Sequence, residues 1–336
     1  VTTAAVLGMG SWGTAFAAVL VDAGCQVRLF GGDPVLASAV TDRHENPVAH
    51  PGVALPPALV ATTDLAHALA GADLVVLAVP AQELRRALTA WSPLLPRDAV
   101  LVSLIKGVEL GTTLRMSEVI TEVAAVPDSS VVVVSGPNLA GEVLAHQPAA
   151  TVVASVSAAT AQRVQAACHT WYFRPYTNTD VVGTELGGAV KNVIALAVGM
   201  AAGLGFGENT QASLLTRGLA EIARLGAALG ADPATFAGLA GLGDLVATCS
   251  SPLSRNRTFG VNLGRGMSVA EAGQALHQTA EGVKSAPAIL ALADAHGVDM
   301  PITAQVVRVL RDGVAPAQVV GRLMGREAKP EQAAGR

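Results

Sequence analysis

The sequence predicts an α/β fold: a doubly wound parallel sheet followed by an all-helical region. Three observations carry this expectation. Short apolar runs alternate with amphipathic segments through the first half, a glycine-rich turn closes the first run, and beyond about residue 180 the strand-like runs give way to helical spacing.

At 336 residues the chain exceeds the usual size of one hydrophobic core, so two domains are expected. Hydrophobic residues make up 51% and aromatics only 3%, so small aliphatic side chains must fill the interior, with elements lying close together. A net charge of −4 without blocks of like charge gives no footprint for nucleic acid and points to a small-molecule partner. Cys25, Cys168 and Cys249 are odd in number and far apart, which suggests neither a disulfide framework nor a metal cluster and fits a reducing cytoplasm. The apolar amino terminus lacks a basic leading region, so no signal or transit peptide is expected.

The strands read in order. "AAVLG" (4–8), "QVRLF" (26–30), "DLVVLAVP" (73–80), "AVLVSLIKG" (99–107) and "SVVVVSGP" (130–137) are Val- and Leu-rich runs bounded by Gly, Pro or polar residues. "AATVVASV" (149–156) and "YFRPYTNTD" (172–180), with a helical segment between them, extend the same sheet. The expected division is a dinucleotide-binding unit over 1–182, a helical substrate-binding unit over 183–326 and a loose polar tail over 327–336. In the second unit Leu215, Leu219, Ile222 and Leu225 share a helical face, with Arg217, Glu221 and Arg224 largely off it. Asp232 before Pro233, and Ser268 three residues before Glu271, mark two helix starts.

"AVKNVIALAVGMAAGLG" (189–205) sets one lysine at the head of an apolar run. The charge-free stretch from Asn192 to Gly207 falls short of the roughly 20 residues needed to span a bilayer, so a buried helix is expected rather than stable membrane insertion.

Gly8, Gly10 and Gly13 form G-x-G-x-x-G between the first strand and a helix, the context of a Rossmann dinucleotide site. Gly8 permits the turn, Gly10 lets the backbone approach a pyrophosphate, Gly13 lets helix and strand pack, and Ser11 and Trp12 line the cofactor. Whether that cofactor is NAD or NADP stays open. Phe30, Gly31 and Gly32 end the second strand with neither acid nor base, while Asp33 can reach a ribose and Arg28 or Arg43 a 2′-phosphate.

Ligands of such sheets bind beyond the carboxyl ends of the strands, which places Lys106, Ser135, Gly136 and Asn138 under suspicion. No histidine falls in a motif at this cleft, so a lysine is the candidate acid or base. Lys191 sits among apolar residues, where desolvation lowers an amine's pKa. "GLAGLGDLVATCSSPLSRNRTFG" (238–260) concentrates Asp244, Thr248, Ser254, Arg255, Asn256 and Arg257, a donor density suited to a phosphate. Lys106 or Asn138 as a plain surface or turn residue, and Lys191 as a solvated helix end, are the competing readings.

Taken together, "GMGSWGTA", "SLIKGVE", "SGPNLAGEV", "ELGGAVKNVIALAVGMAAGLGFGENT", "GLGDLVATC" and "SRNRTFG" resemble the bacterial NAD(P)-dependent glycerol-3-phosphate dehydrogenases, in order from about residue 4 to 325. The resemblance implies interconversion of sn-glycerol 3-phosphate and dihydroxyacetone phosphate in the supply of phospholipid precursor. It makes Lys191 the proton acceptor and places Lys106, Gly136, Asn138, Asp244, Ser254, Arg255 and Asn256 at substrate positions, with Thr248 and Asn192 as further orienting residues. It also implies cofactor roles for Ser11, Trp12, Gly32, Lys106, Ala140, Arg255, Thr279 and Glu281. Three positions depart from the pattern: Gly32 where relatives often carry a basic residue, Asn138 where Ser or Thr is common, and "QTAEG" (278–282) where a valine-rich version is usual. A homodimer stays open as the assembly.

The rival enzyme class is the β-hydroxyacid dehydrogenases and ketopantoate reductases, whose pattern places asparagine four residues after the lysine. Here that position is Ala195, and Asn192 is adjacent to Lys191 instead. A non-catalytic dinucleotide sensor is a third reading, against which the presence of Lys106, Lys191 and Asp244 argues.

Overall fold

The computed structural model describes residues 1–276 and 280–324. Eight strands form one sheet: β1 (Thr3–Leu7), β2 (Gln26–Phe30), β3 (Val60–Thr62), β4 (Leu74–Leu77), β5 (Val100–Ser103), β6 (Val131–Ser135), β7 (Ala149–Ala154) and β8 (Phe173–Asn178). Helices α1 (Ser11–Asp22), α2 (Pro34–Asp42), α3 (Leu65–Leu69), α4 (Leu84–Trp91), α5 (Met116–Ala124), α6 (Ala140–Leu144) and α7 (Ala158–Cys168) connect them. The helical region comprises α8 (Val181–Gly203), α9 (Glu208–Ala228), α10 (Pro233–Ala237), α11 (Asp244–Ser250), α12 (Arg255–Gly264), α13 (Val269–Ala275), α14 (Glu281–Ala295), α15 (Pro301–Asp312) and α16 (Pro316–Met324).

The strand order is β3-β2-β1-β4-β5-β6-β7-β8. Pairing is parallel from β3 to β6, antiparallel between β6 and β7, and parallel again between β7 and β8. The sheet is therefore mostly parallel, with one reversal. Alternation sorts its core: Ala4, Val6, Val76 and Val102 pack on one face, Ala5, Leu7, Val75 and Leu101 on the other. The chain order reverses between β1 and β4, so the crevice beyond their carboxyl ends is the expected ligand site.

A third apolar cluster surrounds α8, whose residues from Gly183 to Ala201 are buried on every side. Among the described residues α8 is the one helix long and apolar enough to cross a bilayer, and here the protein itself covers its apolar surface. Glycines let its neighbours come to backbone contact. A Cβ at Gly199 would lie 2.1 Å from Arg257 O, and one at Gly203 would lie 2.3 Å from Val261 O. Reciprocally, a Cβ at Gly260 or Gly264 of α12 would strike Leu196 O or Met200 O. Each helix thus carries glycines four residues apart, on one face, where the two backbones touch.

The helix starts follow their capping residues. Asp232 accepts from Ala234 N ahead of Pro233, and Ser268 with Glu271 forms the reciprocal box. Asp180 accepts from Gly183 N to cap α8, and its other oxygen holds Asp232 N and Thr235 Oγ1, which ties the start of α8 to α10. One expectation is corrected. Glu221, placed off the packed face of its helix by spacing, is buried and accepts from Ile302 N, Thr303 N and Thr303 Oγ1 at the start of α15. Those unpaired first-turn amides supply the compensation that a buried carboxylate needs.

Gly199→Ala forces two backbones apart and is expected to cost about 1–3 kcal/mol of stability, the usual range for overpacking, or more because a carbonyl rather than a side chain must yield. Urea denaturation reads this. An unchanged midpoint would mean that α8 and α12 separate freely.

Candidate active site

Strand ends and two helices bring the chemistry together. Lys106 lies just beyond β5, Gly136 just beyond β6, Lys191 in the middle of α8, and Asp244 and Thr248 on α11. Asp244 is 1% exposed and sits between the two lysines. Its Oδ2 accepts from Lys106 Nζ at 2.7 Å, and its Oδ1 accepts from Lys191 Nζ. Lys106 also donates to Gly136 O at 3.1 Å, and Lys191 to Thr248 Oγ1 at 2.6 Å. Two ammonium groups therefore share one carboxylate. Burial, aided by the like charge of Lys106 and opposed by Asp244, pulls the pKa of Lys191 down to about 8.

The backbone leading into Asp244 explains its placement. Gly243 N bonds to Gly238 O at 3.1 Å, closing a wide π-type turn over Leu239–Gly243. A Cβ at Gly187 would lie 2.2 Å from Ala240 O, so this turn rests directly on α8, one helical turn before Lys191. A Cβ at Gly188 would meet the Ser135 side-chain hydroxyl at 2.5 Å, so α8 also packs against the end of β6.

The remaining expected substrate residues fall in two groups. Asn138 donates to Thr151 Oγ1 at 2.8 Å and leaves its buried Oδ1 without a partner. Ser254 caps α12 through Arg257 N, Arg255 opens the helix exposed, and Asn256 is buried. Asn256 donates to Asn192 Oδ1 at 3.0 Å and accepts from Gly282 N at 2.9 Å. The two asparagines thus knit α8, α12 and α14 together beside Lys191.

The glycine turn fits a dinucleotide on its own geometry. Gly8 has φ +132°, and a Cβ there would lie 2.3 Å from Ala78 O. A Cβ at Gly13 would lie 2.2 Å from Gly8 O, whereas one at Gly10 meets nothing within 4 Å. The turn is closed toward the protein and open where a pyrophosphate approaches the start of α1. Trp12 Nε1 and Glu281 Oε2 are buried without hydrogen-bond partners on residues expected to line the cofactor, and burial raises the Glu281 carboxyl pKa. Ala140 is half-buried at the start of α6, which packs on α1, and Gly32 is exposed beyond β2. Thr279 lies outside the described residues. Arg28 donates to Ala70 O and Arg43 closes the far end of α2, so neither stands at the end of β2.

Sequence reasoning passed over a clamp beneath this turn. Asn46 is fully buried, donates to Met9 O at 3.0 Å and Thr14 Oγ1 at 2.9 Å, and accepts from Ala49 N. His50 Nε2 donates to Ser11 O at 2.9 Å. The signal was present: residues 43–59 join α2 to β3 without regular structure, and connections of that length are usually functional.

An open α/β sheet with a glycine turn at its switch point, facing a buried lysine supplied by a helical region, defines a dinucleotide-dependent dehydrogenase of the Rossmann class. The model of the NAD-dependent glycerol-3-phosphate dehydrogenase N-terminus matches residues 3–161, and that of the corresponding C-terminus matches residues 180–321. A Streptomyces griseus protein named glycerol-3-phosphate dehydrogenase [NAD(P)+] is 63% identical over 329 residues, covering 98% of each chain. A crystal structure of glycerol-3-phosphate dehydrogenase from Coxiella burnetii superposes with TM-score 0.92 at 38% identity, covering 97% of this chain and 99% of that one. A ketopantoate reductase from Ralstonia eutropha shares the fold at TM-score 0.56 and 16% identity, over 95% of this chain and all of that one. The chain belongs to the NAD-dependent glycerol-3-phosphate dehydrogenase family.

Asn46→Ala takes the donor from Thr14 Oγ1, one of the two donors from Met9 O and the acceptor from Ala49 N, and is expected to cost about 1–3 kcal/mol. Thermal unfolding with and without dinucleotide measures the loss, and a variant as stable as the parent would remove Asn46 from the support of the turn.

Proposed function

We propose that the protein is an sn-glycerol-3-phosphate dehydrogenase. It interconverts sn-glycerol 3-phosphate and dihydroxyacetone phosphate in the cytoplasm, with NAD(H) or NADP(H), and supplies the glycerophosphate backbone of phospholipids. The observation that carries this reading is the Lys106–Asp244–Lys191 cluster, with Asp244 and Lys191 buried and Lys106 partly so, at the carboxyl ends of β5 and β6.

Bound dinucleotide supplies or accepts the hydride. The chain does the rest. Lys191, held by Asp244 and Thr248, takes the proton of the C2 hydroxyl during oxidation and returns it during reduction. A pKa of about 8 keeps both protonation states accessible near neutral pH. Lys106 binds a substrate oxygen from the position fixed by Asp244 and Gly136 O, and the orphan Oδ1 of Asn138 accepts from a substrate hydroxyl. Arg255, exposed at the start of α12, neutralises the phosphate. Two lysines around one carboxylate leave one positive charge in excess, which suits a substrate that carries a phosphate ester.

The pH dependence has a definite sign. Oxidation of glycerol 3-phosphate needs neutral Lys191, so its kcat/KM rises with pH through about 8, while reduction of dihydroxyacetone phosphate needs the ammonium and falls over the same range. Asp244 raises the Lys191 pKa, so Asp244→Asn is expected to move both limbs to lower pH. A limb that moves upward contradicts the assignment.

The decisive assay is oxidation of NADH and NADPH in the presence of dihydroxyacetone phosphate. Lys191→Ala is expected to lose about 10²–10⁴ in kcat, the usual worth of a positioned acid–base group. Absence of activity with both cofactors in the parent protein defeats the functional reading; full activity in the variant defeats only the role of Lys191. Arg255→Ala is expected to raise KM for the phosphorylated substrate about tenfold or more, as loss of a charged hydrogen bond implies. An unchanged KM would take Arg255 out of the phosphate site.

A further inference from the structure

We propose that this chain selects NAD(H) over NADP(H), and that Asp33 sets the choice. This rests on the dehydrogenase reading above and deepens it. The two cofactors differ at the adenosine ribose, which in this fold lies at the end of β2: a free 2′-hydroxyl calls for a carboxylate there, a 2′-phosphate for a cation or a set of unpaired N–H groups.

The segment after β2 offers the first and withholds the second. A Cβ at Gly31 would lie 2.8 Å from the Met9 side chain, which would have to shift to admit a longer residue, and Gly32 is exposed with open space around it. Asp33 follows, exposed, as the N-cap of α2.

The start of α2 is closed to an anion. Pro34 has no N–H, Val35 N and Leu36 N both donate to Asp33 Oδ1, and Ala37 N donates to Asp33 O. Every backbone donor of that first turn is thus absent or engaged, and the side chain that engages two of them is itself an anion. Both of those bonds fall on Oδ1. Oδ2 has no further bond among the described residues and can accept from a ribose hydroxyl.

The nearby cations point elsewhere. Arg28 turns to Ala70 O at 2.6 Å, and Ala70 lies between the end of α3 and the start of β4, at the amino edge of the sheet. Arg43 stands at the C-cap of α2, about 13 Å from its start at 1.5 Å per residue. The next element along this edge adds a second carboxylate: Asp64, beyond β3, caps α3 through His67 N. His67 stands on that short helix, beyond a strand farther from the glycine turn. A 2′-phosphate would meet like charge where a 2′-hydroxyl meets an acceptor.

Isothermal titration of the substrate-free protein with NADH and with NADPH tests this without relying on turnover. NADH is expected to bind about 100-fold tighter, two tenfold steps in Kd. Asp33→Asn keeps a capping oxygen and removes the charge, so it should bring the two Kd values together. Gly32→Arg places a guanidinium in the open space and should tighten NADPH about tenfold or more. Tighter or equal binding of NADPH by the parent protein overturns the proposal, as does an Asp33→Asn variant with the parent's Kd ratio. Preferential NADH binding without reduction of dihydroxyacetone phosphate would leave this selectivity standing and defeat the functional reading instead.

Discussion

Backbone contact along α8 is the constraint on which the rest of the molecule depends. The helix meets the π-type turn at Gly187 and α12 at Gly199 and Gly203, each time at a distance from backbone that a Cβ would forbid. With so few aromatics the chain cannot fill gaps between its elements with large rings, so it removes the gaps by bringing backbones together. The chemical consequence sits in the middle of the helix. Lys191 projects from an element that is covered on all sides, and burial is the largest cause of its lowered pKa.

Three buried clusters of charge use different means of compensation, and the difference separates scaffold from chemistry. Glu221 accepts three hydrogen bonds at the start of α15. Glu185 of α8 accepts from Ser117 N, Ser117 Oγ and Arg115 Nη1, which anchors α8 to the start of α5. Burial pushes both carboxyls up, and their donors push them back; each site is saturated and has nothing left to offer a ligand. Asp244 is the opposite case. It divides its two oxygens between two cations, so the cluster retains positive charge and one of its amines titrates near neutral pH. A scaffold gains nothing from that imbalance, whereas the proton transfer beside an anionic substrate proposed above uses it.

The parts of the fold that were legible in the sequence are those set by local pattern. Five strands stand where Val- and Leu-rich runs end at Gly, Pro or a polar residue, β7 and β8 stand in the two segments expected to extend the sheet, and the caps at Asp232 and Ser268 follow from residue type alone. β3 was missed because Val60–Thr62 is three residues long, lies at the sheet edge and has no buried face to impose alternation. The reversal at β7 was missed because a mostly buried apolar run has the same composition in either direction. Glu221 was misplaced because helical spacing says which side chains share a face but not that another helix begins opposite one of them. The candidate lysines, Asp244 and the glycine turn were legible for a different reason: each charge, or each spaced set of glycines, stands out against mainly apolar neighbours. Asn46 and His50, in a segment rich in polar residues, had no such contrast.

The same contrast explains how the two halves of the site are held to each other. Asn192, next to Lys191, accepts from Asn256, and Asn256 accepts from Gly282 N, the residue after Glu281. A Cβ at Gly282 would lie 2.7 Å from Asn192 O, so α14 begins in contact with the α8 backbone itself. Glu281, proposed to face the cofactor, and Lys191, proposed as the acid–base group, therefore take their positions from one short chain of two amides and a glycine. None of these three residues needs to touch a reactant for the spacing between cofactor and acid–base group to depend on them. Hydride transfer and proton transfer must occur on the same carbinol group, at its carbon and its oxygen, so in the proposed mechanism their alignment is as much a property of Asn192, Asn256 and Gly282 as of the lysine.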